Sequence, residues 1–403
     1  MKKIEIVKVV SSMIEIPRQL APVLKDHISK KHKSLLLLGP RQTGKSYLLK
    51  SLRPDLIINL AKESEFQNHQ KNPRLIELIV IPLAEGIGGT IFIDEIQRIP
   101  EMMSTVQSLI DDYKNIVFLL SGSSPRKLRK KEINLLPGRI FSHHLFPLTF
   151  WELKKEFNLE KCLTRGSLPE IYMADYGPDL LSEYINSYLR EEIMAEALVK
   201  NLARFSRFID LAAAGSWQEL NYAKWASDSE IPKETIRRYM DILSDTLLIH
   251  RIPGFTDITG PRKATQKEKF LFFDIGVRNG ILGLQNNKFT SDQLGHLFEQ
   301  WLVLQIIIIN SYKKKKWILS YYRDDKNIEI DIIIEMTNKI LAIEIKWSDK
   351  YKSQWKDNLE AFVLQKPKKE VEQIILYRGD RILKDGVTKI IPYEKFLTEL
   401  DIY

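Results

Sequence analysis

The stretch at residues 39–46, GPRQTGKS, decides the fold of the N-terminal part of this chain. It fits the pattern GxxxxGK[ST] of phosphate-binding loops, and it stands between a predicted strand, SLLLL, and a predicted helix start, YLLKSL. Glycines let backbone N–H groups curl around a phosphate chain, and a helix N-terminus adds partial positive charge. The pattern therefore predicts a nucleotide-binding loop, and a glycine-rich turn without a ligand is the alternative.

Two side chains at the end of this loop have the most specific expected roles. Lys45 would bridge the β- and γ-phosphates of ATP, and the Ser46 hydroxyl would be a ligand of Mg²⁺. We therefore expect ATP and Mg²⁺ as cofactors, with ADP as the other nucleotide partner. The remaining cofactor-binding residues are Gly39, Pro40, Arg41, Gln42, Thr43 and Gly44.

A second predicted strand, within TIFIDEIQRIP at residues 90–100, ends in the two carboxylates of Asp94 and Glu95. Carboxylates at the end of a buried strand are costly unless they have a partner or a function. We expect Asp94 to hold Mg²⁺ through water, and Glu95 to orient and activate the water that attacks ATP. A strand end that turns into a helix capped by acids is the alternative.

A third predicted strand, NIVFLLSGSS at residues 115–124, also ends in small polar residues. In ATPases of this topology a polar side chain at that position senses the γ-phosphate. Ser121 and Ser123 are the candidates, and we assign the role to Ser123. Strand exits are often rich in Ser and Gly, so an ordinary loop is the alternative.

Length and composition limit the possible classes of protein. The 403 residues predict two or three domains, and the net charge of +9 favours nucleic acid or another polyanion only modestly over a simple surplus for solubility. The single cysteine, Cys162, excludes a disulfide framework and a cysteine-based zinc site. The longest apolar run, at residues 301–309, is too short to span a bilayer. We expect a cytoplasmic protein without a membrane partner.

Alternating strands and helices up to about residue 160 predict an α/β domain with a parallel sheet. FPLTFWEL at 146–153 is expected to be the last strand of that sheet, followed by a helix start. ITGPRKATQKEK at 258–269 is the best linker candidate. The expected domains are residues 1–165, residues 166–260 and residues 261–403.

The middle region reads as helical, including residues 182–198, and then as helix, turn, helix and strand. Ser229 is expected to cap the second helix of that unit, with Pro232 in its first turn. The arrangement resembles a winged helix-turn-helix, whose second helix can enter the major groove of DNA. A helical packing module that never contacts DNA is the alternative. The expected DNA contacts are Lys233, Arg237 and Arg238.

A second set of carboxylates occurs near the C-terminus, in IEIDIII and AIEIKWS. Strand alternation sets Glu344 and Lys346 on one face, and Asp331 comes from the preceding strand of a hairpin. With Glu299 from an upstream helix, these residues have the spacing of the PD-(D/E)xK nucleases, in which Asp331 and Glu344 would hold a divalent metal. A half-exposed sheet with cross-strand salt bridges is the alternative.

Nearly the whole chain resembles a prokaryotic family that joins an N-terminal AAA+-type ATPase domain to a C-terminal PD-(D/E)xK nuclease-like, restriction-endonuclease-like α/β domain. The resemblance implies ATP binding and hydrolysis. It also implies that Arg139, in LPGR, is an arginine finger that acts on a neighbour's nucleotide in a homo-oligomer; a plain loop arginine is the alternative. The residues that carry the resemblance are GPRQTGKS, TIFIDEIQRIP, FLLSGSSPRKL, LLPGRIFSHHLFPLTFWEL, GSLPEIY, FLFFDIG, LGHLFEQWLV, EIDIII and AIEIKWS.

Two functions remain open at this point. The chain is a Mg²⁺-dependent ATPase that acts on DNA through its winged helix or its nuclease-like domain. Alternatively, it is an ATP-dependent switch or scaffold that oligomerises and binds proteins, with an inactive nuclease-like fold. ATP binding is common to both.

Overall fold

The computed structural model describes most of the chain in full atomic detail. None of the helices within the described residues is long and apolar enough to cross a membrane. The described residues are 16–30, 32–72, 74–123, 125–126, 138–189, 202–257, 265–365 and 367–402.

The N-terminal part is built on a five-stranded sheet in which all neighbouring strands are parallel. The strand order is β2-β3-β4-β1-β5. The predicted parallel sheet is thereby confirmed, and the nearly unbroken apolar runs of β1, β3 and β4 fit a sheet that is covered on both faces. The strands are β1 Ser34–Leu38, β2 Leu56–Asn59, β3 Gly89–Asp94, β4 Ile116–Gly122 and β5 Ile140–His144.

Within the described residues, five α-helices occur between residue 16 and the end of β4. The second begins at Lys45, immediately after the phosphate-binding loop, so the predicted order of strand, loop and helix is confirmed. The helices are α1 Ala21–Ser29, α2 Lys45–Lys50, α3 Glu63–Lys71, α4 Leu75–Glu85 and α5 Met102–Asp112.

The last strand of the sheet lies earlier than expected. Residues 146–149 are not a strand; β5 is paired instead along the whole of β1, from Ser34 beside Ile140 to Leu38 beside His144. Pro147 has no N–H to donate to a ladder, and β1 ends where the phosphate-binding loop begins. The expected helix start at Phe150 is confirmed, because Thr149 and Glu152 form a capping box there.

The middle region is mainly helical. Residues 182–189 of the predicted helical segment are helical, and residues 190–198 lie outside the described part of the chain. The helices are α6 Phe150–Leu153, α7 Leu159–Arg165, α8 Pro169–Met173, α9 Gly177–Glu183, a π-helical turn Tyr184–Leu189, α10 Leu202–Ala214, α11 Tyr222–Ser229 and α12 Lys233–Asp245.

The predicted sequence of helix, turn, helix and strand is confirmed in α11, α12 and the following strand β6, Ile249–Pro253. The predicted cap is wrong. Ser229 is the last residue of α11 and donates its hydroxyl to the Trp225 carbonyl, whereas Pro232 is the N-cap residue of α12. Ser229 belongs to the preceding helix, three residues before the N-cap position, and its hydroxyl is turned back into α11.

Strand β6 pairs antiparallel with β7, Glu268–Phe272, so the predicted boundary at residue 260 lies between two paired strands. The predicted linker therefore ends too late, because Glu268 and Lys269 belong to the β7 ladder; residues 258–264 lie outside the described part.

The C-terminal part contains a six-stranded mixed sheet in the order β12-β13-β11-β10-β9-β8. Its strands are β8 Ile318–Arg323, β9 Glu329–Glu335, β10 Lys339–Ile345, β11 Glu370–Tyr377, β12 Leu383–Asp385 and β13 Thr388–Pro392. Its helices are α13 Ile275–Ile281, α14 Ser291–Tyr312, α15 Asp357–Val363 and α16 Tyr393–Glu399.

Helix α14 connects the two halves of the molecule. A capping box of Thr290 and Gln293 begins the helix, and its last residue, Tyr312, packs against the N-terminal part. The Tyr312 ring lies 5.6 Å from that of Phe146, centroid to centroid. One helix thus runs from the region of Glu299 to the region of the phosphate-binding loop.

Candidate functional site

The phosphate-binding loop follows β1 and closes around the side chain of Lys45. Lys45 is buried, and its Nζ donates hydrogen bonds to the carbonyls of Gly39 at 2.8 Å and Pro40 at 2.9 Å. Burial lowers the pKa of Lys45 to about 8, although the Glu95 and Asp94 carboxylates oppose the shift. An ammonium group held only by loop carbonyls can transfer its hydrogen bonds to a phosphate oxygen at little cost.

The end of β3 brings Asp94 against the start of α2. The Ser46 hydroxyl donates to Asp94 Oδ1 at 2.9 Å, and the Ser121 hydroxyl, from the end of β4, donates to the same oxygen. The backbone N–H of Glu95 donates to Ser121 Oγ at 3.0 Å. Neighbouring parallel strands end at one edge of the sheet, so residues from three separate stretches meet there.

This donor set fits Mg²⁺ bound together with a nucleotide. A serine hydroxyl and a carboxylate are the oxygen ligands that Mg²⁺ prefers, and the ion usually takes its remaining ligands from water and substrate phosphates. Within the described parts of the chain, no group of three or more His, Cys, Asp or Glu side chains could hold a metal ion. Ser46 and Asp94 would therefore need the phosphates of the nucleotide to complete the site.

Glu95 projects from a sharp bend after β3. Its φ of 60° is in the left-handed region, which non-glycine residues adopt at a cost and mostly where a site requires it. Its carboxylate accepts a hydrogen bond from the Gln97 side chain and a long one, 3.4 Å, from Ser123 Oγ. Ser123 therefore lies beside Glu95, whereas Ser121 lies under Asp94.

Sequence reasoning missed two residues at this edge. Gln97 is buried and donates from Nε2 to both Glu95 and Ser123, at 2.9 Å to the latter. Arg98 binds the Leu60 carbonyl at 2.7 Å. Their positions within QRIP, directly after the two acids, were the only indication. A pocket of about 420 Å³ opens here, lined by Arg41, Gln42, Gly44, Lys45, Ser46, Tyr47, Ala61, Glu95 and Arg98.

Arg139 lies at the opposite edge of the same sheet. It precedes β5, whose first residue pairs with the first residue of β1, and its guanidinium contacts Asp111 at 2.7 Å. The phosphate-binding loop follows the other end of β1. Arg139 therefore cannot reach the nucleotide site of its own chain from this position.

The three predicted DNA contacts lie on the exposed side of α12. Lys233 begins the helix, Arg237 pairs with Glu234 at 3.4 Å, and the Arg238 guanidinium lies 5.7 Å from the Tyr239 ring. The opposite side of the helix, with Ile236, Tyr239, Met240 and Leu243, is buried. Acidic residues balance the three cations along the helix, so the basic surface is confined to its first half.

The C-terminal acids meet as the strand alternation predicts. The antiparallel register of β9 and β10 pairs Ile332 with Ile343, and one further step sets Asp331 opposite Glu344. Directly opposed residues share a face of the sheet. Asp331 Oδ2 accepts the Ile345 N–H at 2.7 Å, and Lys346 Nζ donates to Glu344 Oε2 at 2.6 Å. The cluster is thus partly neutralised by its own lysine.

Glu299, on α14, completes this cluster. Burial raises its pKa above the ordinary range, and the neighbouring Asp331 adds to the rise while Lys346 opposes it. Burial and Asp331 likewise raise the pKa of Glu344 to about 8. All four predicted residues therefore lie within electrostatic reach of one another. A pocket of about 600 Å³ beside them is lined by Ser291, Asp292, Gly295, His296, Glu299, Trp347, Ser348, Asp349 and Arg378.

Comparison with family models divides the chain into three matches. Residues 31–154 match an AAA domain. Residues 156–288 match a domain of unknown function, DUF8612, and residues 294–396 match a second one, DUF4143. The AAA match and the loop geometry agree, so the N-terminal region is an AAA-type P-loop ATPase domain.

Comparison with whole proteins yields relatives that are similar in sequence or structure. Uncharacterized proteins of Mycobacterium bovis and Mycobacterium tuberculosis are each 26% identical over 321 residues, which is 77% of this chain and 70% of theirs. A Walker-type ATPase of Pyrococcus abyssi has a TM-score of 0.47 at 15% identity, over 66% of this chain and 96% of its own.

Proposed function

We propose that this protein is a Mg²⁺-dependent ATPase that acts on DNA. The observation that carries the ATPase part is the 2.9 Å hydrogen bond between Ser46 and Asp94, with Lys45 folded beneath the same loop. It joins the hydroxyl and the carboxylate that a Mg²⁺–ATP complex requires. Cytoplasmic localisation belongs to the proposal.

The residues of this edge divide the chemistry of hydrolysis among them. Lys45 moves its hydrogen bonds from the loop carbonyls to the β- and γ-phosphates. Glu95 would take a proton from the attacking water, while Gln97 and Ser123 donate hydrogen bonds to its carboxylate, and Ser123 would sense the γ-phosphate. Ser46 and Asp94 would hold Mg²⁺, which neutralises phosphate charge. Stabilisation of that charge is the main catalytic requirement of phosphoryl transfer.

Arg139 enters this scheme through a second copy of the chain. Its place at the far edge of the sheet, paired with Asp111, fits a finger that acts on the nucleotide of a neighbour in a homo-oligomer. Concentration-dependent ATP turnover that Arg139→Ala removes would support this role. Turnover that is unchanged in Arg139→Ala would contradict it.

The DNA-directed part of the proposal rests on two elements. Helices α11 and α12 followed by the β6–β7 ladder have the order of a winged helix, with Lys233 and Arg237 exposed on the second helix. The placement of Asp331 opposite Glu344, with Glu299 and Lys346 nearby, supports a nuclease-like site in which two acids, Asp331 and Glu344, would share one divalent ion.

The domain limits 1–165, 166–260 and 261–403 belong to the same proposal. Their second limit falls in the connection between β6 and β7, two strands that pair with each other. Limited proteolysis followed by mass spectrometry would locate the true limits.

A switch or scaffold that binds proteins is the competing function, and one observation favours it. Lys346 Nζ lies 2.6 Å from Glu344 Oε2. The lysine therefore neutralises the carboxylate charge that a catalytic metal ion would otherwise neutralise. In that case the nuclease-like fold is inactive and serves as an interaction module in an ATP-dependent oligomer.

The decisive test between the two functions is the ATP turnover rate with and without duplex and single-stranded DNA. Stimulation by DNA supports the first function. An unchanged rate across all DNA concentrations, with assembly that depends on ATP, supports the scaffold.

Cleavage is tested separately, by incubation of labelled DNA with the protein and Mn²⁺. Cutting that disappears in Asp331→Ala supports an active nuclease site. Intact DNA under every divalent ion leaves a fold that only binds.

A further inference from the structure

Arg18 is a buried arginine that the ATPase scheme above does not use. It precedes α1, and its side chain donates three hydrogen bonds in three directions. Nε donates to Glu152 Oε1 at 3.1 Å, Nη1 to the Thr43 carbonyl at 2.5 Å, and Nη2 to the Phe146 carbonyl at 2.6 Å. One side chain thus joins the phosphate-binding loop to the segment that follows β5.

The ion pair of Arg18 with Glu152 is buried, so its formation costs desolvation free energy for both charges. Further hydrogen bonds to both side chains must offset that cost. Glu152 Oε1 also accepts the Gln19 N–H, and its Oε2 accepts the Thr149 N–H. An apolar side chain of the same volume would fill this space more cheaply. A planar guanidinium offers something else, which is several donors at fixed angles.

The contact with the loop is made at a single peptide. The Thr43 carbonyl points to Arg18, and because the peptide is planar and trans, the Gly44 N–H of the same peptide points the opposite way. Gly44 lines the nucleotide pocket and has a φ of 92°, and a Cβ built on it would lie 3.3 Å from Arg18 Nη1. The orientation of this peptide therefore depends on Arg18.

We propose that Arg18 is a positioning residue for ATP binding, which holds the Thr43–Gly44 peptide so that the Gly44 N–H faces the phosphates. The proposal rests on the nucleotide-binding function proposed above. Arg18 also links that peptide to helix α14, because Phe146 accepts from Arg18 through its carbonyl and donates its N–H to Tyr312 at 3.2 Å. The loop and the C-terminal helix thereby share one anchor.

The test compares Arg18→Ala with the wild-type chain in ATP hydrolysis, and it uses guanidinium as a chemical substitute for the missing group. We expect KM for ATP to rise at least about tenfold in Arg18→Ala, with kcat within about threefold of wild type, because binding and not chemistry is affected. Millimolar guanidinium chloride should lower KM again, whereas tetramethylammonium chloride should not. A KM in folded Arg18→Ala within twofold of wild type, or no response to guanidinium, overturns the proposal.

Two further variants keep the proposal testable if Arg18→Ala does not fold. Arg18→Lys can make one of the three contacts and should show an intermediate rise in KM; a wild-type KM in Arg18→Lys contradicts the proposal. Arg381→Ala removes an exposed arginine near the C-terminus and should leave KM unchanged. Failure of the wild-type chain itself to bind ATP would refute the proposed function and not the role of Arg18 alone.

Discussion

The two carboxylate sites of this molecule use similar residues but differ in what balances their charge. At the edge of the N-terminal sheet, Asp94 receives hydroxyl groups from Ser46 and Ser121, and Lys45 is bonded to backbone carbonyls. In the C-terminal sheet, Lys346 is bonded directly to Glu344. In the first site the lysine remains available for an incoming phosphate. In the second site the lysine is already paired with a carboxylate of the same cluster.

This difference shows that residue type and strand position alone do not identify an active site. Both sites have acids on strands and a lysine nearby, as the sequence patterns predict. Only the partner of the lysine distinguishes a site prepared for an anionic ligand from one that is already compensated.

The largest expected effect is that of Lys45→Ala on nucleotide binding. Loss of the charge that bridges the phosphates should weaken ATP binding by about 100-fold or more, as measured by calorimetry. Lys50→Ala, an exposed lysine at the end of the same helix, is the matched control and should bind normally. Normal ATP binding and turnover in Lys45→Ala would show that Lys45 does not bind the phosphates, and the proposed difference between Lys45 and Lys346 would be wrong.

Removal of Lys346 tests the C-terminal carboxylate site in the same comparison. Lys346→Met leaves Glu344 without its partner, and we expect the free energy of unfolding to fall by about 2 kcal/mol in urea titrations. The expected cost is lower than the roughly 3–5 kcal/mol for breaking a fully enclosed ion pair, because the Lys346 side chain is 29% exposed. Added Mn²⁺ should recover part of the loss if the acids can hold a cation.

Lys339→Met is the control for that experiment. Lys339 is the first residue of β10, the strand that ends immediately before Lys346; it pairs with Glu372 at 2.8 Å, but its side chain is 37% exposed. The cost should stay below about 1 kcal/mol, as is usual for exposed pairs. Equal costs in the two variants would mean that the C-terminal cluster is an ordinary surface network.

His250 tests a half-buried ring, whose Nε2 has no hydrogen-bond partner among the described residues. Burial, helped by His144, lowers its pKa from the ordinary 6.5 to about 4, and its ring packs 5.8 Å from that of Phe146. The fold therefore has its full stability above about pH 6.5, and part of it is lost progressively as pH falls from about 6.5 to about 4, because the unfolded chain takes up the proton first. Between about pH 7.5 and pH 5 we expect a loss of about 2 kcal/mol.

Urea unfolding at the two pH values provides the measurement for His250. His250→Gln should lack most of this pH dependence, whereas His32→Gln, at an exposed position, should keep it. An identical pH dependence in His250→Gln and wild type would show that other groups cause it.

The smallest effect is expected for DNA binding by α12. Substitution of Lys233, Arg237 and Arg238 by Ala should weaken binding by about tenfold at low salt and reduce the salt slope, because fewer counterions are released. The control substitutes three exposed lysines of the N-terminal part, Lys25, Lys33 and Lys71. If the triple Ala variant binds DNA with unchanged affinity, either DNA contacts the C-terminal domain or α12 has no role in DNA binding.

The sequence allowed prediction of those site residues that lie within one local pattern. The loop at residues 39–46, the end of β3 and the alternation in β10 are each confirmed as elements, because a strand or loop that is continuous in the chain carries its own signature. The last strand of the N-terminal sheet was predicted too far along the chain, because its own local pattern is weak. β5 lies at the edge of the sheet, is only partly buried and is less apolar than the segment after it.

Contacts between distant segments could not be predicted in this way. Arg18 reaches Glu152, 134 residues away, and nothing near either residue indicates the other. Asp274 accepts the Ser167 N–H at 2.7 Å, and a Cβ on Gly166 would lie 1.9 Å from Asp274 Oδ1. The requirement for glycine at that position, like the role of Arg18, follows from tertiary packing that no local pattern contains.

The central claim is that the edge formed by Ser46, Asp94 and Glu95 hydrolyses ATP. The most direct measurement compares ATP binding and single-turnover hydrolysis in wild type and Glu95→Gln, with Mg²⁺ present. We predict that Glu95→Gln binds ATP as wild type does but hydrolyses it at least about 100-fold more slowly, because the base that activates water is lost. Asp94→Asn should instead weaken the Mg²⁺-dependent part of binding. Hydrolysis by Glu95→Gln at the wild-type rate would contradict the claim and place the catalytic base elsewhere.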